Sequence, residues 1–238
     1  MLNRLNIENI LFLDVETVPQ CAAYDALPER MKELWEKKSA YVRKDGQSAE
    51  EFYERAGIWA EFGKIICISV GYVRTSKSGR VFRVKSFYGD DEKALLTGFC
   101  ELLQTFFAKK KEARLCAHNG KEFDFPYIAR RALINGLPLP KALDVAGSKP
   151  WDVPFLDTME LWKFGDYKHY VSLDLLTAIF DIPSPKDDMD GSQVAEVYYR
   201  DGDLSRIVRY CEKDVMSVAQ LLLRYRGEPL LSATENVE

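Results

Sequence analysis

Short apolar runs bounded by turn-forming residues predict the strands of this chain. They lie at residues 10–13, 65–73, 81–88 and 115–117, and such runs are typical of strands that are buried in a sheet. A Ser-Lys-Ser-Gly segment joins the second run to the third, so we expect these two to form a hairpin. The first run stops before Asp14, and we expect its strand to end there.

Longer amphipathic stretches predict the helices. Apolar residues recur at helical spacing in 93–109, 125–135 and 204–222. Gly136 is expected to close the second helix, and Asp203, directly before the third, is a natural amino-terminal cap. The alternation of apolar strands with amphipathic helices indicates an α/β protein.

The segment 20–60 differs from the rest of the chain in being polar and rich in Glu and Lys, with helix-like patches at 31–35 and 52–59. We interpret it as a helical insertion at about 20–60 in a single domain that spans 1–238. Three roles remain open for it: guarding a site, binding a partner or mediating dimerisation.

Composition supports a folded protein with one substantial core, since 47% of the 238 residues are hydrophobic and 29% are charged. The five cysteines form no Cys-x-x-Cys pair, which suits reduced thiols. With only two histidines, a histidine-rich zinc site is not expected. No signal peptide or membrane-spanning run is found, so we expect a cytoplasmic protein with no membrane contact.

The net charge of −4 neither supports nor excludes a nucleic-acid substrate. Phosphate contacts usually need Lys and Arg, and basic clusters exist at 109–111, at 130–131 and at Lys163 with Lys168. We interpret each cluster first as a solvated helix end.

Four carboxylates and one tyrosine stand out as candidate chemistry. Asp14 and Glu16 follow the first strand, Asp124 precedes the second helix, and Tyr210 and Asp214 lie within the third. Hard divalent cations such as Mg²⁺ bind through carboxylate oxygens and water. The set therefore has the composition of a two-metal site that cleaves phosphodiesters.

The first pair also has a structural interpretation. A period of two puts Asp14 and Glu16 on one face of a strand, where they could simply be exposed. Asp-x-Glu is a frequent pattern, and it recurs at 90–92. We interpret that second copy as the acidic first turn of the helix at 93–109.

Alternatives are open for the other residues as well. Asp124 would suit a helix cap, and Asn119, before Gly120, would suit a turn. Tyr210 and Asp214 are one helical turn apart and point the same way. Because aspartate is a poor helix former in mid-helix, a reason other than propensity is needed for Asp214, unless it merely faces solvent.

Three segments taken together resemble the exonuclease motifs of the DEDD (DnaQ-like) 3′-to-5′ exonuclease superfamily, tyrosine subclass: 12–17, 118–127 and 210–214. The chain is most similar to the proofreading domain of family B DNA polymerases and to stand-alone predicted exonucleases related to it. The segment 190–194 also resembles those stand-alone proteins. The resemblance extends from about residue 9 to 225.

This resemblance implies a ribonuclease H-like fold, with a central mixed β-sheet flanked by helices. It also implies 3′-to-5′ removal of nucleoside monophosphates with two divalent cations, Mg²⁺ or Mn²⁺. Asp14 would bridge both cations, Glu16 and Asp214 would hold the cation that carries the attacking water, and Asp124 would serve the second. Tyr210 would orient that water, since a phenol with a pKa of about 10 is a weak base at neutral pH.

Nucleic-acid contacts carried over from the same resemblance fall on Thr17, Val18, Asn119 and Phe123. Asn119 would contact the terminal nucleotide, while the backbone at Thr17 and the side chain of Val18 would meet the 3′ end. We expect single-stranded 3′ ends as substrate, with DNA favoured over RNA. The alternatives are an exoribonuclease and a non-catalytic nucleic-acid-binding domain of the same fold. No polymerase domain is expected in this sequence, so proofreading would need a polymerase or repair partner.

Overall fold

The structure, a computed structural model, describes residues 2–77, 79–166, 170–183, 189–231 and 234–236. Six strands form one mixed sheet within these residues: β1 (Ile10–Pro19), β2 (Gly63–Ser76), β3 (Gly79–Tyr88), β4 (Arg114–Ala117), β5 (Leu156–Asp157) and β6 (Thr234–Asn236). Their order across the sheet is β5-β4-β1-β2-β3-β6. The pairs β1–β2 and β2–β3 are antiparallel, whereas β1–β4, β4–β5 and β3–β6 are parallel. The predicted hairpin and mixed sheet are therefore confirmed.

Helices flank this sheet. In the described part of the chain they are α1 (Glu29–Ser39), α2 (Glu92–Lys109), α3 (Asp124–Ile134), α4 (Thr158–Lys163), α5 (Leu173–Ile179), α6 (Val194–Glu196) and α7 (Leu204–Tyr225). Short 3₁₀ helices lie at Leu2–Arg4, Ile7–Asn9, Tyr24–Ala26, Tyr53–Ile58 and Gly191–Gln193, and a π-helical turn lies at Val197–Asp201.

The two faces of the sheet bury different residues of β1, because successive side chains of a strand point to opposite sides. Leu11, Leu13 and Val15 pack in the core cluster that contains residues of α2 and α3. Phe12 packs in a second cluster with residues of α7. By the same alternation, Asp14 lies on the face that α7 covers.

β1 extends to Pro19, so the expectation that its strand ends at Asp14 is wrong. β2 continues to pair with it, with Asp14 opposite Ser69 and Glu16 opposite Cys67. Charged side chains interrupted the apolar run on which the prediction rested. The backbone N–H and C=O groups of β1 are nevertheless hydrogen-bonded by its antiparallel partner, and this pairing does not depend on whether the side chains are charged.

The three long helices agree with the predictions, as do the cap at Asp203 and the glycine after α3, whereas Asp91, predicted in the first turn of α2, is its N-cap. The Asp91 side chain accepts a hydrogen bond from the Ala94 N–H at the start of α2, and Asp203 accepts one from Arg206 at the start of α7. Gly136 follows α3 with a φ of 70°, a left-handed conformation that glycine adopts without strain. Local sequence signals therefore set these boundaries.

Arg131, which we expected to be solvated, is buried against Glu92. Arg131 on α3 forms an ion pair with Glu92 on α2, with the closest atoms 2.5 Å apart and both side chains 8% exposed. Glu92 also accepts a hydrogen bond from the Ile65 N–H, and Arg131 donates one to the Ala60 carbonyl. The solvated-end interpretation of Arg131 is therefore wrong, because a neighbouring helix supplies its counter-charge. Lys168, in another of the basic clusters, lies outside the described residues.

The segment 20–60 has a small aromatic core of its own. Trp35, fully buried, stacks with Phe52 at 6.0 Å between ring centroids. The segment is joined to the sheet through the Gly57 carbonyl, which accepts hydrogen bonds from Thr17 Oγ1 at 2.9 Å and from the Tyr127 hydroxyl at 2.7 Å. Its interpretation as an insertion in a single domain stays a prediction.

No helix in the described ranges combines the length and the apolar character that a membrane crossing requires. All five cysteines are free thiols.

Candidate active site

The first part of the site comes from the middle of β1. Asp14 and Glu16 project from the same face, toward α7, because no register shift intervenes before Glu16. The strand on the other side, β4, pairs with β1 only as far as Phe12. Two carboxylates therefore stand side by side on the α7 face of the sheet.

Asp124 joins them from the first turn of α3. Its side chain is 4% exposed. The preceding N-cap residue, Phe123, makes no capping hydrogen bond through its side chain. The Asp124 carboxylate accepts hydrogen bonds from its own N–H and from the N–H of Val15 on β1. It is thus tied to the carboxylate-bearing strand rather than acting only as a local helix cap.

The loop before Asp124 is held in a tight turn. Asn119 has a φ of 60°, and its carbonyl accepts hydrogen bonds from the N–H groups of Glu122 and Phe123. At Gly120 a Cβ would lie 2.4 Å from the Cβ of Ala117, so only glycine fits. The turn interpretation of Asn119 and Gly120 is confirmed, and it leaves the buried Asn119 Oδ1 without a hydrogen-bond partner.

Tyr210 and Asp214 complete the group from α7. The Tyr210 hydroxyl donates a hydrogen bond to the Asp214 carboxylate. Both side chains are partly buried. Gly191 packs beside the tyrosine, since a Cβ there would lie 3.9 Å from the Tyr210 hydroxyl oxygen.

The carboxylates raise one another's pKa values. Burial raises the pKa of Asp14 well above its usual range, and the charges of Asp214 and Asp124 raise it further. Burial likewise raises the pKa of Glu16, followed by the charges of Asp14 and Asp214. Burial is also the main cause that raises the pKa of Asp124 to about 7, and nearby Asp157 and Asp214 contribute. Like charges held together without water are stable only if protonated or bound to cations.

Tyr210 belongs to the same electrostatic group. Burial and the charges of Asp214, Glu16 and Asp14, in that order, raise the pKa of its hydroxyl. The phenol is therefore protonated at neutral pH and acts as a hydrogen-bond donor. Electrostatic interactions thus connect all five residues of the predicted catalytic set, although the longest separation, from Asp14 to Asp214, is 200 positions in sequence.

The donor set fits hard divalent cations. Asp14 Oδ2 is buried and has no hydrogen-bond partner. An oxygen of Asp14 and one of Glu16 lie within 4.8 Å of each other and of the Cys211 sulfur. Carboxylate oxygens are the ligands that Mg²⁺ and Mn²⁺ prefer, and a dication would relieve the repulsion described above.

The four residues with predicted nucleic-acid contacts are placed differently from one another. Asn119 and Phe123 are half-buried at the turn before Asp124, and the Phe123 ring packs against that of Tyr127 at 5.3 Å. Thr17 is half-buried, with its hydroxyl bound to Gly57. Val18 has no exposed surface and packs in a core cluster. Its side chain therefore offers no surface for the expected contact with the 3′ end.

Asp157 is a residue that the sequence analysis missed. It is 2% exposed, and its carboxylate accepts hydrogen bonds from the N–H of Asn119 at 2.9 Å and of Lys121 at 3.0 Å. It also caps α4 by accepting a hydrogen bond from the Met159 N–H. Its position between a short apolar run and a helix was a visible N-cap signal. The hydrogen bonds that Asp157 accepts from the turn at Asn119 could not be predicted from the sequence, because the two residues are far apart along the chain.

Comparisons with known proteins identify the fold and the family. The chain resembles the family B DNA polymerase from the hyperthermophilic archaeon Pyrobaculum calidifontis, with a TM-score of 0.53 and 15% identity over 91% of this chain and 24% of the polymerase chain. This likeness shows the fold, which is α/β and ribonuclease H-like as predicted. The chain thus spans about a quarter of that polymerase. No curated protein gives a significant match.

A family model described as "predicted 3′-5′ exonuclease related to the exonuclease domain of PolB" matches residues 58–229. The matched stretch contains Asp124, Tyr210 and Asp214, whereas Asp14 and Glu16 precede it. Because the match covers well over half of the chain, this protein belongs to the family of predicted 3′-5′ exonucleases related to the exonuclease domain of family B DNA polymerases.

Proposed function

We propose that this protein is a metal-dependent 3′-to-5′ exonuclease that removes nucleoside monophosphates from single-stranded nucleic-acid ends, with DNA as the favoured substrate. The observation that carries the proposal is the convergence of four carboxylates, of which Glu16 and Asp124 are buried and Asp14 and Asp214 are partly buried. Burial and the charges of neighbouring carboxylates raise the pKa values of Asp14, Glu16 and Asp124, and a merely structural group has no need of such an arrangement. The family relationship supports the same activity.

Asp14, Glu16, Asp124 and Asp214 would hold two divalent cations, Mg²⁺ or Mn²⁺. When bound, such ions activate water as a nucleophile and stabilise the departing 3′ oxygen. The remaining work falls to the protein. The acidic residues must lose their protons before the cations bind, so activity should rise as the pH rises through about 7, the pKa of Asp124 in the metal-free protein.

Tyr210 would position the attacking water. Its hydroxyl is held by Asp214, which fixes the ring beside the carboxylates. Because burial and the surrounding negative charges raise the pKa of the phenol and keep it protonated, Tyr210 is suited to orient water by donating a hydrogen bond and unsuited to act as a base.

Residues around the turn before α3 would receive the 3′-terminal nucleotide. Asn119 Oδ1 is buried and unpartnered, so it can accept a hydrogen bond from a sugar hydroxyl or a base. Phe123 is partly exposed beside it and offers a ring for stacking. On the other side of the site, the backbone of Thr17 would contact the 3′ end.

The direct test is digestion of a 5′-labelled single-stranded DNA oligonucleotide in Mg²⁺ or Mn²⁺, beside the matched RNA strand. A ladder that shortens from the 3′ end is expected with a free 3′ end and is not expected with a blocked 3′ end or in EDTA. Asp14→Ala and Asp214→Asn should abolish the ladder, whereas Asp152→Asn, at an exposed position, should leave it unchanged.

Two outcomes would redirect the proposal. Faster digestion of RNA would make the protein an exoribonuclease. Binding of the oligonucleotide without digestion under any divalent ion would support a non-catalytic nucleic-acid-binding domain.

A further inference from the structure

A thiol lies directly against the carboxylates of β1. Cys211, the residue after Tyr210 on α7, is fully buried, and its sulfur is 3.4 Å from the backbone carbonyl of Asp14, to which it donates a hydrogen bond. The Cys211 sulfur, one oxygen of Asp14 and one oxygen of Glu16 all lie within 4.8 Å of one another. Three potential metal ligands therefore converge, and one of them is soft.

A second thiol, that of Cys67, contacts the Cys211 thiol. Cys67 on β2 is opposite Glu16 in the strand register and is fully buried. Its sulfur is 3.7 Å from Ser69 Oγ and hydrogen-bonds with the Cys211 thiol. The sulfur of Cys211 is thus held in place on both sides, by Asp14 and by Cys67.

One observation besides the convergence of ligands indicates that this corner is built for a cation. Asp14 Oδ2 is buried and without a hydrogen-bond partner. Glu16, beside it on the same face of β1, is only 8% exposed. A cation at this corner would supply the partner that Asp14 Oδ2 lacks.

The chemistry of the donor atoms determines which cation binds better when the sulfur is a ligand. Mg²⁺ takes oxygen ligands, whereas thiolates select softer ions such as Zn²⁺. Zinc is bound by sulfur, nitrogen and carboxylate oxygen at about 2.0 to 2.3 Å. Donor atoms that already lie within 4.8 Å of one another can close on such an ion through small side-chain rotations.

We propose that Asp14, Glu16 and Cys211 form a site for a thiophilic divalent cation, of which Zn²⁺ is the representative. Binding releases the thiol proton of Cys211 and forms a sulfur–metal bond, with no oxidation or reduction. The inference rests on the proposed function in one respect only: the soft ion occupies ligands that hydrolysis needs for Mg²⁺ or Mn²⁺, and it therefore inhibits the nuclease.

Titration of the metal-free protein with Co²⁺ tests the site without any activity assay. Cobalt bound to a thiolate gives a charge-transfer band in the near ultraviolet, which oxygen ligands do not produce. We expect this band in the wild type and in Cys100→Ser, a buried thiol in the opposite core cluster, and its loss in Cys211→Ser. Zn²⁺ should displace Co²⁺ and remove the band, and Cys211→Ser should bind Zn²⁺ at least about tenfold more weakly.

A wild-type protein without the band would overturn the proposal. A band that persists in Cys211→Ser would also overturn it. The same holds for a band that Cys67→Ser abolishes and Cys211→Ser retains. If Cys211→Ser does not fold, Glu16→Gln provides the second test, since loss of a ligand must weaken Co²⁺ binding and reduce the band. A cobalt–thiolate band in a protein without nuclease activity would refute the proposed function and leave the metal site standing.

Discussion

Replacing Asp124 by asparagine is expected to stabilise the metal-free protein at neutral and alkaline pH. The pKa of this carboxyl is raised from 3.8 to about 7, chiefly by burial. At about 1.4 kcal/mol per pH unit, that difference corresponds to about 4 kcal/mol of folding free energy lost when the group is ionised. Asparagine has nearly the same shape, carries no charge, and can still accept the hydrogen bond from the Val15 N–H.

The direction in which stability changes with pH depends on whether the folded or the unfolded state binds the Asp124 proton more tightly. The folded state keeps the proton of Asp124 up to a higher pH than the unfolded state does, so the stability of the wild type falls as the pH rises from about 4 to about 7. The two proteins should have similar stabilities below about pH 4. Above about pH 7 the variant should be more stable, by up to about 4 kcal/mol.

Urea unfolding followed by circular dichroism in EDTA, at several pH values between 4 and 8, would measure this difference. Asp152→Asn, at an exposed position, is the matched control and should follow the wild type. Saturating Mg²⁺ should reduce or reverse the difference in stability between the variant and the wild type, because an ion that binds only the folded wild type stabilises it. A variant that is less stable than the wild type at pH 8 in EDTA, or a gap that does not change with pH, would refute the reasoning.

Two further predictions concern single contacts. Tyr210→Phe removes the hydroxyl that donates to Asp214 and should lower kcat by roughly tenfold to a hundredfold with little change in KM; an unchanged kcat in steady-state digestion of single-stranded DNA would exclude a positioning role. Arg131→Met leaves the buried Glu92 without its partner and should cost about 3 to 5 kcal/mol in urea unfolding, whereas Arg131→Met combined with Glu92→Met should recover much of that loss. A double variant as unstable as the single one would contradict the unpaired-charge explanation.

The elements that the sequence predicted well are those whose signals are local. Helix α7 begins at a cap, Asp203, and buries a stripe set by helical periodicity, both of which can be recognised within a few residues. The hairpin of β2 and β3 likewise follows from two apolar runs and one short turn. The resemblance to exonuclease motifs then picked out five residues whose meeting no local pattern could show.

The errors have one physical cause, which is that distant residues supplied the missing partner. β1 continues past Asp14 because β2 pairs with it. Arg131 is buried because Glu92, on another helix, neutralises it. Asp157 holds the Asn119 turn through backbone hydrogen bonds from residues 36 and 38 positions away, and a scan along the chain could recognise it only as a helix cap.

By itself the sequence predicted the positions of β1 to β4, the three long helices and the face on which each reactive side chain lies, because alternation along a strand and periodicity along a helix are properties of the local backbone. Only the tertiary structure decided that Asp14 and Glu16 meet Asp124, Tyr210 and Asp214. That meeting depends on the strand order of the sheet and on the packing of α7 across β1. Burial at the same point raises the pKa values of the carboxylates, and it brings the Cys211 sulfur against them.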